Sequence, residues 1–101
     1  MARPRHDLDV ELRSLCPNVY YQGPPKGQMV YPCIMYSLEG KKTVNADNQK
    51  YIVHNQYDVK VISRNPDEPL VDTVLEHFEN ISFDRPYKAD SLYHYVYTLY
   101  Y

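Results

Sequence analysis

Residues 91–101 read SLYHYVYTLYY, and five of the last nine are tyrosine. At a period of two, Leu92, His94, Val96, Thr98 and Tyr100 share one face of a strand. Tyr93, Tyr95, Tyr97, Leu99 and Tyr101 share the other. A strand with one wetted face alternates apolar residues with lysine, glutamate or serine, and neither face here does so. Both faces are therefore expected to meet protein. One packs on the chain's own helices. The other, on the Tyr93, Tyr95 and Tyr97 side, meets a neighbouring subunit, with plain core packing as the competing account. Tyrosine suits either role, because it carries a large apolar ring with a polar tip.

The segments upstream supply the rest of a sheet and two helices. Leu8, Leu12 and Leu15 fall at i, i+4 and i+7, which predicts a helix over 7–16 with Asp7 as N-cap, stopped by Pro17. Residues 1–6 are expected to be a flexible N-terminus. NVYYQ (18–22) predicts a short strand. GPPKGQ (23–28) has too much proline and glycine for regular structure and forms an exposed loop carrying Pro24, Pro25 and Lys26. VYPCIMYSLE (30–39) predicts a strand that begins near Pro32, because proline cannot donate to a ladder.

GKKTVNADNQ (40–49) reads as a turn-rich connection, long enough to project from the body rather than close a tight hairpin. The longest strand is expected in KYIVHNQYDVKVISR (50–64), where Tyr57, Val59 and Val61 alternate with polar neighbours. RNPDEP then turns into a helix over about 69–79, capped by Asp67 or Glu68 and marked by Val71, Val74, Leu75 and Phe78. NISFDRPY (80–87) reads as a short strand and turn. The order αβββαββ predicts an α+β fold: one domain over 1–101, with an antiparallel-rich sheet packed against two α-helices.

Composition narrows the function. A chain of 101 residues buries about two-thirds of its unfolded surface, enough for one core, and small chains often gain further burial by oligomerising. Eleven basic against thirteen acidic residues give a net charge of -2, which speaks against binding driven by phosphate neutralisation. No apolar run approaches the roughly 20 residues of a membrane span, and no signal-like stretch follows the basic MARPRHDLDV, so synthesis in the cytoplasm is expected. Cys16 and Cys33 are read as free, buried or half-buried thiols.

Catalytic and ligating patterns are missing as well. His6, His54, His77 and His94 are scattered and lack metal-ligand spacing. No nucleophile elbow occurs. The acid pairs Asp7 with Asp9 and Asp67 with Glu68 sit at helix starts, where the dipole accounts for them. The three glycines do not form a phosphate-cradling loop. The expectation is a protein that is not an enzyme and uses neither cofactor nor metal.

Several segments in order resemble a known family. YPCIMY (31–36), ADN with the tyrosine after it (Ala46, Asp47, Asn48, Tyr51), Arg64-Asn65-Pro66-Asp67, and Phe83-Asp84-Arg85 through Asp90, Leu92 and His94 are similar to tail terminators of long-tailed bacteriophages. These are the tail completion, or head-to-tail joining, proteins, and the resemblance spans roughly residues 8–101.

It implies a lambda-type terminator fold and a structural virion protein, made in the host cytoplasm and sited in the neck of the virion. Such proteins form a homo-hexameric ring on the last ring of tail tube protein, stop its polymerisation and present a surface to the head-tail connector. DNA passes only through the lumen, where a near-neutral or acidic wall avoids trapping phosphates. Heterologous contacts close such rings, and the candidate interface residues are Tyr93, Tyr95, Tyr97 and Tyr101, with Pro24, Pro25, Lys26, Lys41, Lys42, Asp47 and Asn48 on the two loops and Tyr51 just after the second. Two alternatives stay open. One is another neck component of the same fold. The other is a single-strand nucleic-acid module that stacks bases on Tyr95 and Tyr97.

Overall fold

The computed structural model describes residues 3–23 and 29–101. Its elements are α1 (Arg5–Leu15), β1 (Val19–Tyr21), β2 (Cys33–Ala46), β3 (Gln49–Ser63), α2 (Leu70–His77), β4 (Ile81–Ala89) and β5 (Leu92–Tyr100). The order is αβββαββ, as the periodicities predict. The strands make one mixed sheet in the order β1-β2-β3-β5-β4, in which only β1 and β2 run parallel.

Cross-strand register explains the core. Ile34, Val61 and Tyr95 form one row across β2, β3 and β5; Tyr36, Val59 and Tyr97 form the next; Leu38, Tyr57 and Leu99 form a third. All three point to the side where Leu8 and Leu12 of α1 and Leu70 and Val74 of α2 are buried. Burying each such aliphatic side chain contributes about 1.5–3 kcal/mol, so these rows and the two helix stripes are the main favourable term. The alternate residues form a second face that carries no helix. There Lys60 lies 3.8 Å from Asp58, the Thr98 hydroxyl donates to Asp84 at 2.7 Å, and the Tyr87 and His94 rings stack at 4.6 Å.

Helix and strand limits depart from the sequence reading in three places. Helix α1 starts at Arg5, with Pro4 at the cap position and its carbonyl accepting the first turn's amide hydrogen bonds; Asp7 sits inside that turn rather than capping it. Arg5 and His6, expected in a flexible N-terminus, are thus helical. Helix α2 spans Leu70–His77 with Pro69 at the cap and no side-chain cap. Glu68 instead accepts from the Ser63 hydroxyl at 2.9 Å, and Asn65 Oδ1 accepts from the Asp67 amide at 3.0 Å. Finally, β4 continues through Pro86. An edge strand tolerates proline, and the ladder shifts register between Phe83 and Arg85.

The largest correction concerns residues 40–49. They form no loose connection: β2 and β3 stay paired out to Ala46 opposite Gln49, and Asp47 and Asn48 close a tight two-residue turn. Both turn residues have positive φ, 52° and 63°, as the turn type matching strand twist demands, and Asp and Asn tolerate that region. Asp90 and Ser91, at 52° and 62°, close the β4–β5 hairpin in the same way.

Candidate assembly surfaces

Of the C-terminal tyrosines, Tyr93, Tyr95, Tyr97 and Tyr101 lie on the helix side of the sheet and Tyr100 on the other. Tyr97 has no exposed surface, and its hydroxyl donates to the Val71 carbonyl of α2 at 2.9 Å. Tyr101 is 2 % exposed: its hydroxyl donates to Glu11, its ring meets Phe78 edge-on, and the Arg3 guanidinium lies 3.7 Å over the ring. Tyr95 is half-buried and donates to the Pro66 carbonyl at 2.6 Å, while Lys88 lies 5.2 Å from the Tyr93 ring.

The expected neighbour-facing side of β5 is therefore the side that meets the chain's own helices, and Tyr97 and Tyr101 are core residues. On the opposite side Val96 is buried within the sheet's outer face by the side chains around it. Burial within the subunit accounts for Tyr97, Leu99 and Tyr101 on one face and for Val96 on the other, while Leu92, His94, Thr98 and Tyr100 stay partly exposed.

The polar groups of this core edge satisfy one another. Burial pushes the Tyr101 hydroxyl up to about 12, reinforced by Glu11, and the Tyr36 hydroxyl up to about 12, reinforced by Asp9. Burial alone raises the Glu11 carboxyl, but Tyr101, His77 and Arg3 together outweigh it and leave Glu11 below the usual value. Asp9 follows the same pattern, with Tyr36 and Arg13 outweighing its burial. A polar cleft of about 340 Å³ opens beside Arg3, Glu11, His77 and Tyr100, yet its carboxylate is already engaged by His77 Nε2 at 3.1 Å and by Tyr101.

Among the described residues no group of three or more histidine, cysteine or acidic side chains is placed to hold a metal ion. Cys16 and Cys33 are buried and free, and burial pushes the Cys33 thiol up to about 12, far from a reactive thiolate.

The remaining predicted interface residues fall into two groups. Pro24, Pro25 and Lys26 lie outside the described residues. Lys41, Lys42, Asp47, Asn48 and Tyr51 are brought together on the outer part of the β2–β3 hairpin, where every residue from 41 to 51 is exposed. The root of this arm is Asn55, itself 7 % exposed. Its backbone exchanges hydrogen bonds with Tyr101 at 2.9 and 2.8 Å. Its side chain donates to the Arg3 carbonyl at 3.0 Å and accepts from Lys41 Nζ at 2.9 Å.

Beyond Asn55, β3 has no described partner on its β5 side. Beyond Tyr36, β2 has none on its β1 side. Among the described residues the arm thus presents two free strand edges. On one face Val44 stands directly opposite Tyr51, 47 % and 50 % exposed, with Lys42 two residues from Val44 on the same side. Val44 and the free edges are absent from the sequence reading. The available signal was Thr43-Val44 facing Tyr51-Ile52 across Asp-Asn, a β-branched and aromatic pairing around a turn dipeptide.

No helix is long and apolar enough to cross a membrane among the described residues. The chain matches no family model, no curated protein and no solved structure.

Proposed function

We propose that this chain is the subunit of a ring that caps the head-proximal end of the tail tube of a long-tailed bacteriophage. The ring ends tube polymerisation and joins the tail to the head connector. The observation that carries the reading is the β2–β3 arm. A monomer gains nothing from extending two strands with both outer edges unpaired among the described residues and the Val44–Tyr51 pair exposed, whereas an assembly subunit reaches a neighbour with such an element.

The αβββαββ order and the small single sheet give the α+β fold that the resemblance of residues 8–101 to tail terminators implies, and on this reading the fold is of the lambda type. The net charge of -2 suits a lumen through which DNA slides without sticking. On this reading the protein works in the virion neck after assembly in the host cytoplasm, and its partners are its own copies, the tube protein and the connector. It has no catalytic task. The burial of Tyr97 speaks against a stacking platform for single-stranded nucleic acid, since its ring is closed off.

Electron microscopy of the purified protein mixed with tail tubes tests the reading. The expected result is a ring at one end of each tube and an arrest of further growth. Tubes that remain bare and keep growing overturn it. Loss of the gene is expected to give overlong tails or unjoined heads and tails.

A further inference from the structure

We propose that the arm of one subunit docks on the outer face of α2 in a second copy of this chain, so that copies join head to tail. This deepens the ring reading above and rests on it, by naming the two surfaces that meet.

The two patches are complementary in layout and in sign. Helix α2 buries Leu70 and Val74, which leaves Asp72, Leu75 and Glu76, at i, i+3 and i+4, as its outer stripe. Leu75 is 37 % exposed, an apolar spot flanked on this stripe by two exposed acids. The arm offers the reverse: Val44 and Tyr51 form the apolar centre with Lys42 on the same face, while Lys50, paired with Asn45, adds positive charge from the arm's other face. An apolar centre with a charged rim of opposite sign on the partner is the ordinary anatomy of a specific interface.

The arm does not cover its own α2, because residues 41–51 are exposed throughout in the single chain. The contact must be made between copies. It joins two different patches, so it is heterologous and propagates in one direction until rotation closes it. Lys42 lies over the ring of Tyr100, on the helix-free side of the sheet. The helix-free side of one subunit therefore addresses the helix side of the next.

Sedimentation of the full chain tests this. The wild type is expected to self-associate at low salt and to weaken as salt rises, since rim charges are screened beyond a Debye length of about 10 Å at 0.1 M. The double reversal K42E/K50E, and separately D72K/E76K, are each expected to weaken association by on the order of tenfold or more.

The decisive arm is the mixture. K42E/K50E has an acidic arm and an acidic helix, and D72K/E76K has both basic. Neither pairs with itself, yet the two together are expected to restore association in equal amounts. Cross-linking a Val44→Cys chain to a Leu75→Cys chain with a bifunctional maleimide gives a second readout that does not depend on charge reversal. Products are expected only when both chains are present.

A wild type that stays monomeric at its highest soluble concentration overturns the docking. So does a mixture that does not restore association. Rings that form on tube ends but ignore both reversals overturn the docking and leave the terminator reading standing. Reversal-sensitive association that never caps a tube does the opposite.

Discussion

Tyr97 shows how much one side chain carries in so small a core. Its ring sits in the middle row of the sheet beside Val59, and its hydroxyl is the only polar atom it must place, on the Val71 carbonyl. Burial pushes that hydroxyl well above its ordinary value, so it stays a neutral donor at any working pH. Tyr97→Phe keeps the volume and removes the hydrogen bond, at an expected cost of about 1 kcal/mol. Tyr97→Ala opens a cavity between α2 and the sheet and is expected to cost about 3–5 kcal/mol. Urea unfolding of both variants checks the ratio; equal costs would mean the ring is not in the core.

Asp9 and Glu11 make a second prediction, in pH. Both carboxyls are held below their usual values in the folded chain, so the unfolded chain binds more protons in the acid range. Their stabilisation is complete above the ordinary carboxylate pKa of about 4 and is lost as pH falls through the folded values. The double variant D9N/E11Q is expected to start less stable at neutral pH and to show a flatter acid limb in its urea midpoints. An acid limb of unchanged slope would assign the protons to other groups.

At the scale of elements, the β2–β3 arm separates local from global stability. Its outer pairs, Val44–Tyr51 to Ala46–Gln49, have no strand partner beyond each other among the described residues, so its closure depends on Asp47 and Asn48 holding positive φ. Asn48→Val forces a β-branched residue into that region and is expected to cost the arm about 1–2 kcal/mol, while Asn48→Gly is neutral or favourable. Amide exchange of the arm is the measurement, because the arm can open without unfolding the body.

The same element marks the limit of what was legible in the sequence. Tyr57, Val59 and Val61, and Leu8 with Leu12, announced their faces through periodicity, and the order of elements followed. Residues 40–49 did not, because their composition is that of a loop and only pairing with residues 49–56 makes them a strand. The face of the C-terminal tyrosines was ambiguous for a different reason. Val96 on one side and Tyr97 on the other are both buried, so alternation held no polar marker of the outside. The candidate site was half legible: Lys41, Lys42, Asp47, Asn48 and Tyr51 were singled out, but their meeting place was not.

At the scale of the whole molecule, shape separates folding from assembly. The extents are 51 × 26 × 23 Å and the radius of gyration is 14.6 Å, against about 13 Å for a compact chain of this length. Among the described side chains, every member of the buried cluster lies outside residues 43–53. Replacing residues 43–53 by an Asn-Gly turn would close the ladder at the Lys42–His54 pair and remove the Val44–Tyr51 surface without touching the core. The shortened protein is expected to unfold cooperatively, with a stability within about 1 kcal/mol of the full chain, since surface changes away from packed features cost little. It is also expected to stay monomeric and to leave tail tubes uncapped. Both halves are needed: a shortened chain that fails to fold would place part of the core in the arm, and one that folds and still caps tubes would move the assembly surface elsewhere on the body. A stable, monomeric, non-capping product is the outcome that makes the arm an assembly element.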